Sequence, residues 1–202
     1  MAHTAGMGIV DDLQRRVLVL GATGGQGGAV AAALIQAGRS VRALVRDPSS
    51  AGAVKLAGAG AQLAVAEFTD REALTAAMRG VAAAFALTSP FESGPAAEVE
   101  QGQAIIVAAA AAQLPHLVFS SVAGATAGTG IPHFESKATV ERALAASGLP
   151  HTVVAPTYFY DNALGGYQDL LARHPGPLPT RGSWAAAAGP HRPGLIRRAR
   201  PG

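Results

Sequence analysis

The run Arg16-Val-Leu-Val-Leu20, followed at once by Gly21-Ala-Thr-Gly24-Gly-Gln-Gly27, constrains this chain more than any other stretch. A short, fully apolar run is the pattern of a strand buried on both faces of a parallel sheet. Glycines directly after it permit a tight turn and let a phosphate approach the main chain. Beyond the loop, residues 28–37 place Val30, Leu34 and Ala37 at helical spacing, with Gly38 as the stop. Strand, glycine turn and helix in that order set the free N–H groups of a helix end beside the turn, a cradle for a pyrophosphate. The competing reading is a glycine-rich turn in a chain rich in Ala and Gly.

The rest of the body repeats this alternation. Strands are expected at 41–45, 62–68, 81–87, 116–121 and 152–155. Helices are expected from a Ser49 or Ser50 cap to about 57, from a Thr69 or Asp70 cap onward, and over 99–113 and 134–146. Strands and helices in strict alternation imply right-handed crossovers. The expected fold class is α/β, a Rossmann-type doubly wound parallel sheet with helices on both faces.

Length and charge divide the chain. Its 202 residues suit one large α/β domain, and 46 alanines mean that the 49% apolar content overstates the bulky core. The net charge of +3 is uneven: residues 1–172 carry ten Lys and Arg against thirteen Asp and Glu, or −3, whereas residues 173–202 carry six Arg and no acid, or +6. Those last thirty residues also hold six Pro and five Gly, which resists regular structure. The expected organisation is a flexible stretch at 1–14, a dinucleotide-binding domain over 15–172 and a disordered tail over 173–202.

Several classes are excluded. With no cysteine, disulfides, thiolate metal sites and cysteine nucleophiles are absent, and no metal site is expected. The longest apolar run, Ala104 to Ala112, is nine residues against the ~20 of a membrane span. The first sixteen residues hold two aspartates and no apolar core, unlike a signal peptide. The expected location is cytoplasmic, with no membrane partner.

The cofactor preference turns on the end of the second strand, Val45-Arg46-Asp47-Pro48. An acid there binds the ribose 2′-hydroxyl of NAD, whereas an arginine accommodates the 2′-phosphate of NADP. Arg46 therefore favours NADP(H) over NAD(H). The alternative is a solvated arginine paired with Asp47 or Asp70.

Taken in order, several motifs resemble the NmrA-like family of atypical short-chain dehydrogenases/reductases, nearest to its NADPH-sensor-like members. They are the loop at 21–27, Arg46-Asp-Pro, Thr88-Ser-Pro-Phe-Glu-Ser93, Glu98-Val-Glu-Gln-Gly102, His133-Phe-Glu-Ser-Lys137 and Pro156-Thr-Tyr-Phe-Tyr-Asp-Asn162. The resemblance implies that Gly21, Thr23, Gly24, Gln26 and Gly27 form the phosphate loop and that Arg46 holds the 2′-phosphate. It implies that Glu67 and Phe68 flank the adenine, that Thr88 and Ser89 lie along the ribose and nicotinamide, and that Lys137 hydrogen-bonds the nicotinamide ribose. Pro156, Tyr158 and Phe159 are implied to pack near the nicotinamide.

The departure from ordinary dehydrogenases is at position 133. Those enzymes carry Tyr-x-x-x-Lys, and this chain carries His133-x-x-x-Lys137 on one helical face. Histidine can donate a proton near neutrality, so His133 and Lys137 are the candidate catalytic pair. The plain alternative is a histidine at a helix start and a lysine beside Glu141. Ser120 and Ser121 are a candidate substrate-orienting pair, and Tyr158 and Tyr160 are further phenols.

The resemblance also implies a longer chain, with a C-terminal part covering a substrate cleft. The change of composition at 173 suggests an out-of-frame or truncated ending. Two functions follow from the resemblance: a cofactor-state sensor or regulatory module with a protein partner, or an NADPH-dependent reductase of a quinone or other small carbonyl. A third reading, nucleic-acid binding through the basic tail, is disfavoured because Trp184 is the tail's one aromatic residue.

Overall fold

The computed structural model describes residues 16–157, Phe159 and the backbone of Arg197–Arg198. The expectations for 1–14, for Tyr158 and Tyr160, and for nearly all of 173–202 lie outside these residues. The elements run β1 (Val17–Val19), α1 (Gly25–Gln36), β2 (Val41–Val45), α2 (Ala51–Gly58), β3 (Gln62–Val65), α3 (Arg71–Met78) and β4 (Ala83–Leu87). They continue through α4 (Pro90–Ala111), β5 (Leu117–Ser120), a 3₁₀ turn (Ala125–Ala127), α5 (Pro132–Ala146), β6 (His151–Val154) and β7 (Arg197–Arg198).

The sheet order is β3-β2-β1-β4-β5-β6-β7. The first six strands are parallel, and β7 pairs antiparallel with β6 at Thr152 and Val153. The six parallel strands are the expected Rossmann-type fold, with its change of winding direction between β1 and β4, and the antiparallel β7 is a strand that was not expected.

Strand alternation sorts the core onto two faces. Leu18, Leu20 and Leu44 pack with Leu74 and Met78 of α3, Ile105 of α4, and Val140 and Leu144 of α5. Val19, Val41, Ala43 and Phe85 pack on the other face with Ala31, Leu34 and Ile35 of α1 and Leu56 of α2. Adjacent residues of β1 thus serve opposite faces, which explains why that strand is apolar throughout. Burying each such leucine contributes roughly 1.5–3 kcal/mol.

The helix starts have separate local causes. Ser50 caps α2 by accepting from Ala53 N–H, and Asp70 caps α3 by accepting from Ala73 N–H at 3.0 Å. At α1 the cap is Gly24, with no side chain to satisfy the first N–H groups.

Several boundaries differ from expectation: β3 ends at Val65 and not at 68, β4 begins at Ala83 and not at 81, and two helices start early. The first helix begins at Gly25, inside the glycine loop, because glycine at Gly24 and Gly27 lets the helix close against the turn. The fourth helix begins at Pro90, nine residues before the expected start at 99. Ser89 and Pro90 start a first turn, and Gly94, at φ 83° and ψ 171°, kinks the chain before the main helix. That combination suits glycine alone, so the stretch between β4 and the expected helix start is a capped turn on a glycine kink.

Candidate functional site

The cleft opens at the carboxyl ends of the parallel strands, where β1 and β4 diverge in winding. It has a volume of about 560 Å³. Each wall comes from the residues that follow a strand. After β1 come Gly21, Thr23, Gly24, Gln26 and Gly27; after β2 comes Arg46; after β3 come Glu67 and Phe68. After β4 come Thr88 and Ser89, after β5 come Ser120 and Ser121, and after β6 come Pro156 and Phe159. His133 and Lys137 enter from α5. All the candidate residues that are described therefore share one cleft.

The loop has the shape a pyrophosphate needs. A Cβ placed on Gly27 would lie 2.2 Å from the Gly21 carbonyl oxygen, so only glycine lets helix and turn approach this closely. Gly21 itself has φ +66°. The first N–H groups of α1 lack a side-chain acceptor, unlike those of α2 and α3, and they border the cleft. That donor set fits an anionic phosphate. Gln26 and Ser120 exchange hydrogen bonds of 2.8 and 3.0 Å, tying the loop to the end of β5.

Arg46 is bridged to Glu92, Nη1 to Oε2, at 3.3 Å, with both side chains well exposed at the rim. The alternative partners Asp47 and Asp70 are engaged elsewhere. Asp47 accepts from the N–H and hydroxyl of Ser49, which hold its carboxyl below the usual range, and Asp70 caps α3.

Lys137 is the centre of a buried polar cluster. Its Nζ lies 2.9 Å from Glu98 Oε1, 2.6 Å from the Thr88 carbonyl oxygen, 3.1 Å from Thr88 Oγ1 and 3.4 Å from the Ser120 carbonyl oxygen. The Phe119 ring centroid lies 5.3 Å away. An ammonium has three N–H donors, so the surrounding acceptors already occupy them all. Burial pulls the Lys137 pKa below its ordinary value, opposed by Glu98 and then Glu141. The acid that pairs with Lys137 is therefore Glu98 and not Glu141, whose carboxylate accepts from Ser121.

Glu98 stands in the Glu98-Val-Glu-Gln-Gly102 motif, where its immediate neighbours do not mark it as a site residue. It is fully buried, and Thr88 and Ser136 both donate to it. The available signal was its spacing: Glu98 shares with Gly102, Ile105 and Ala109 the helical stripe that faces the core. A carboxylate on such a stripe needs a buried partner.

His133 is partly buried in the cleft wall. Its ring stacks at a tilt against Phe134, centroids 4.6 Å apart, and lies 6.1 Å from Phe91. Ser120 and Ser121, read as a substrate-orienting pair, are both buried and bonded to Gln26 and Glu141 respectively. No helix among the described residues is long and apolar enough to cross a membrane.

Comparison with known proteins agrees with this architecture. The NmrA-like family matches residues 14–176. The "NmrA-like family domain-containing oxidoreductase notA" of Aspergillus sp. strain MF297-2 is 36% identical over 181 residues, covering 79% of this chain and 53% of that protein. The Escherichia coli NADPH-dependent quinone oxidoreductase QOR2, solved with NADPH, superposes with a TM-score of 0.68 at 26% identity, covering 78% of this chain and 54% of that one. A mutant NmrA superposes with a TM-score of 0.61 at 26% identity, covering 69% and 44%. The chain spans about half the length of these proteins.

Proposed function

The chain belongs to the NmrA-like family, a family of NAD(P)-binding oxidoreductase type, and from that premise we propose that its cleft binds NADP(H) and that the domain acts as a sensor of cofactor state. The observation that carries the reading is the pairing of an anion-ready loop at Gly21–Gly27 with Arg46 at the end of β2. The N–H groups of α1 would hold the pyrophosphate, and Arg46 would exchange Glu92 for the 2′-phosphate. Glu67 and Phe68 would border the adenine, and Thr88, Ser89, Pro156, Tyr158 and Phe159 would border the nicotinamide half. Lys137 would reach a ribose hydroxyl by releasing the Ser120 carbonyl, its longest contact at 3.4 Å.

The sensor reading is supported by the commitment of polar groups. Lys137, Ser120 and Ser121 are all bonded within the protein. The turn at Pro90 and the kink at Gly94 place Phe91 and Glu92 at the rim, where cofactor binding would displace Glu92 from Arg46. A regulatory protein partner would read that change.

A second reading is favoured by His133, whose ring lines the cleft one turn before Lys137, and by the similarity to proteins named as oxidoreductases. In that reading the bound dinucleotide supplies hydride to a quinone or other small carbonyl, and His133 supplies the proton.

One set of measurements decides. A thermal-shift titration with NADPH and NADH should show saturable stabilisation, about 2.7 kcal/mol at ligand one hundred times Kd, and stronger with NADPH. No shift with either cofactor overturns the binding proposal. NADPH oxidation across a quinone panel then separates the readings. Turnover that collapses in His133→Ala supports the reductase, and binding without turnover supports the sensor.

A further inference from the structure

We propose that Glu98 is a positioning residue for the cleft: it holds the Lys137 ammonium charged and fixed against the carboxyl ends of β4 and β5, so that this wall keeps one shape across the neutral pH range. The geometry is a closed circuit. Lys137 donates to Glu98 and to the Thr88 hydroxyl, the Thr88 hydroxyl donates on to the same carboxylate oxygen, and Ser136 donates to the other. Lys137 also donates to the Thr88 and Ser120 carbonyl oxygens, which end neighbouring strands. One ammonium thus joins β4, β5, α4 and α5 directly beside the cleft.

The circuit depends on charge. The Lys137 side chain is 10% exposed and that of Glu98 is 0% exposed, so neither ion has solvent to stabilise it alone. The groups facing Lys137 from β4 and β5 are neutral: the hydroxyl and carbonyl of Thr88, the carbonyl of Ser120 and the ring of Phe119. From α4 it faces Glu98. On α5 itself the ionisable groups on the same face are His133, one turn before, and Glu141, one turn after and already bonded to Ser121. With glutamine in place of Glu98, burial outweighs what Glu141 supplies. Lys137 then sheds its proton nearer neutrality and loses donors for Thr88 and Ser120.

The direct test needs no ligand. Thermal melts of the full chain between pH 6 and 10 compare the native protein with Glu98→Gln, Lys137→Met and the double variant. A lysine with a lowered pKa in the folded state binds fewer protons there than in the unfolded chain, so stability rises with pH through that interval. In Glu98→Gln this rise, at most roughly 3 °C per pH unit, should begin at a lower pH than in the native chain. In the native chain the rise should be confined to the upper end, closer to the ordinary lysine value of ~10.4. Lys137→Met, which leaves the Glu98 carboxylate without its cation, should lack the rise, and the double variant should lack any slope from this pair. Parallel profiles for native and Glu98→Gln, or a slope that survives in the double variant, overturn the proposal. If Glu98→Gln does not fold, the double variant should, because a methionine leaves no buried charge; an unfolded double variant also overturns it.

A second measurement rests on the cofactor proposal. NADPH Kd should weaken by about 5-fold or more from pH 7 to 9 in Glu98→Gln and by less than about 2-fold in the native chain. Equal pH profiles contradict the positioning role. Absence of NADPH binding in the native chain counts against the cofactor reading alone, and the melts still decide the role of Glu98.

Discussion

Arg46, at the end of β2, reaches Glu92 in the first turn of α4 with its Nη1 3.3 Å from the carboxylate oxygen. The pair joins two segments 46 residues apart in sequence at the rim of the cleft. Both side chains are exposed, so the bridge is worth ~0.2–1 kcal/mol and yields readily to a phosphate dianion. Glu92→Gln should change stability by less than about 0.5 kcal/mol and tighten NADPH binding by roughly 2-fold, with NADH unchanged. Arg46→Ala should lower the NADPH/NADH affinity ratio by about 10-fold or more, because a charge-assisted phosphate contact is worth ~1.5–3 kcal/mol. Calorimetric titration of both cofactors measures each. An unaltered ratio in Arg46→Ala removes the arginine from the account.

Gly27→Ala should damage the loop itself. The added methyl would meet the Gly21 carbonyl carbon and oxygen at 2.6 and 2.2 Å, and backbone cannot rotate away as a side chain can. The expected cost is about 1–3 kcal/mol, with loss of dinucleotide binding. Gly25→Ala is the control, since nothing lies within 4 Å of its new methyl. Urea melts of the two variants should separate clearly.

Gly102 and Val140 set how closely α4 approaches α5. A Cβ on Gly102 would stand 2.4 Å from one Val140 methyl and 2.7 Å from the other. Gly102→Ala should destabilise the domain by roughly 1–3 kcal/mol, and Val140→Ala in the same chain should recover part of that loss. Strictly additive effects in this double-mutant cycle would show that the helices do not meet there as described.

Lys137→Met should alter the pH response of stability. Burial lowers the pKa of Lys137 in the folded chain. The unfolded chain therefore binds the extra proton between that lowered value and ~10.4, and the native protein gains stability as pH rises through this window. Lys137→Met abolishes that component. Chemical denaturation at several pH values from 8 to 10.5 should show the native curve rising relative to the variant; parallel curves would contradict the buried, paired lysine.

Much of the fold was legible because its signals are local. Val41–Val45 was expected at its observed bounds, since a short, mostly apolar stretch between polar flanks specifies a strand. The caps were readable to within one residue, as Ser49 or Ser50 and as Thr69 or Asp70, and the structure uses Ser50 and Asp70. The start of α4 was misplaced because Pro95 and Gly94 mask the helical turn before them, and the glycine kink shows only in backbone angles.

The site was legible as a set of positions, at strand ends and on the helix that carries His133 and Lys137, and not as a set of partners. The sequence by itself determined the alternation of strands and helices, the glycine loop, the arginine after β2 and the His133-x-x-x-Lys137 spacing, because each depends on residues a few positions apart. Only the tertiary structure decided that Glu98, 39 positions before Lys137, neutralises it, that Glu92 takes Arg46, and that Gln26 and Glu141 take the two serines. Those choices depend on which side chains the packing of α4 and α5 against the sheet brings within 3 Å or so, and on which charges it shuts away from water. Neither distance nor desolvation is written in local spacing.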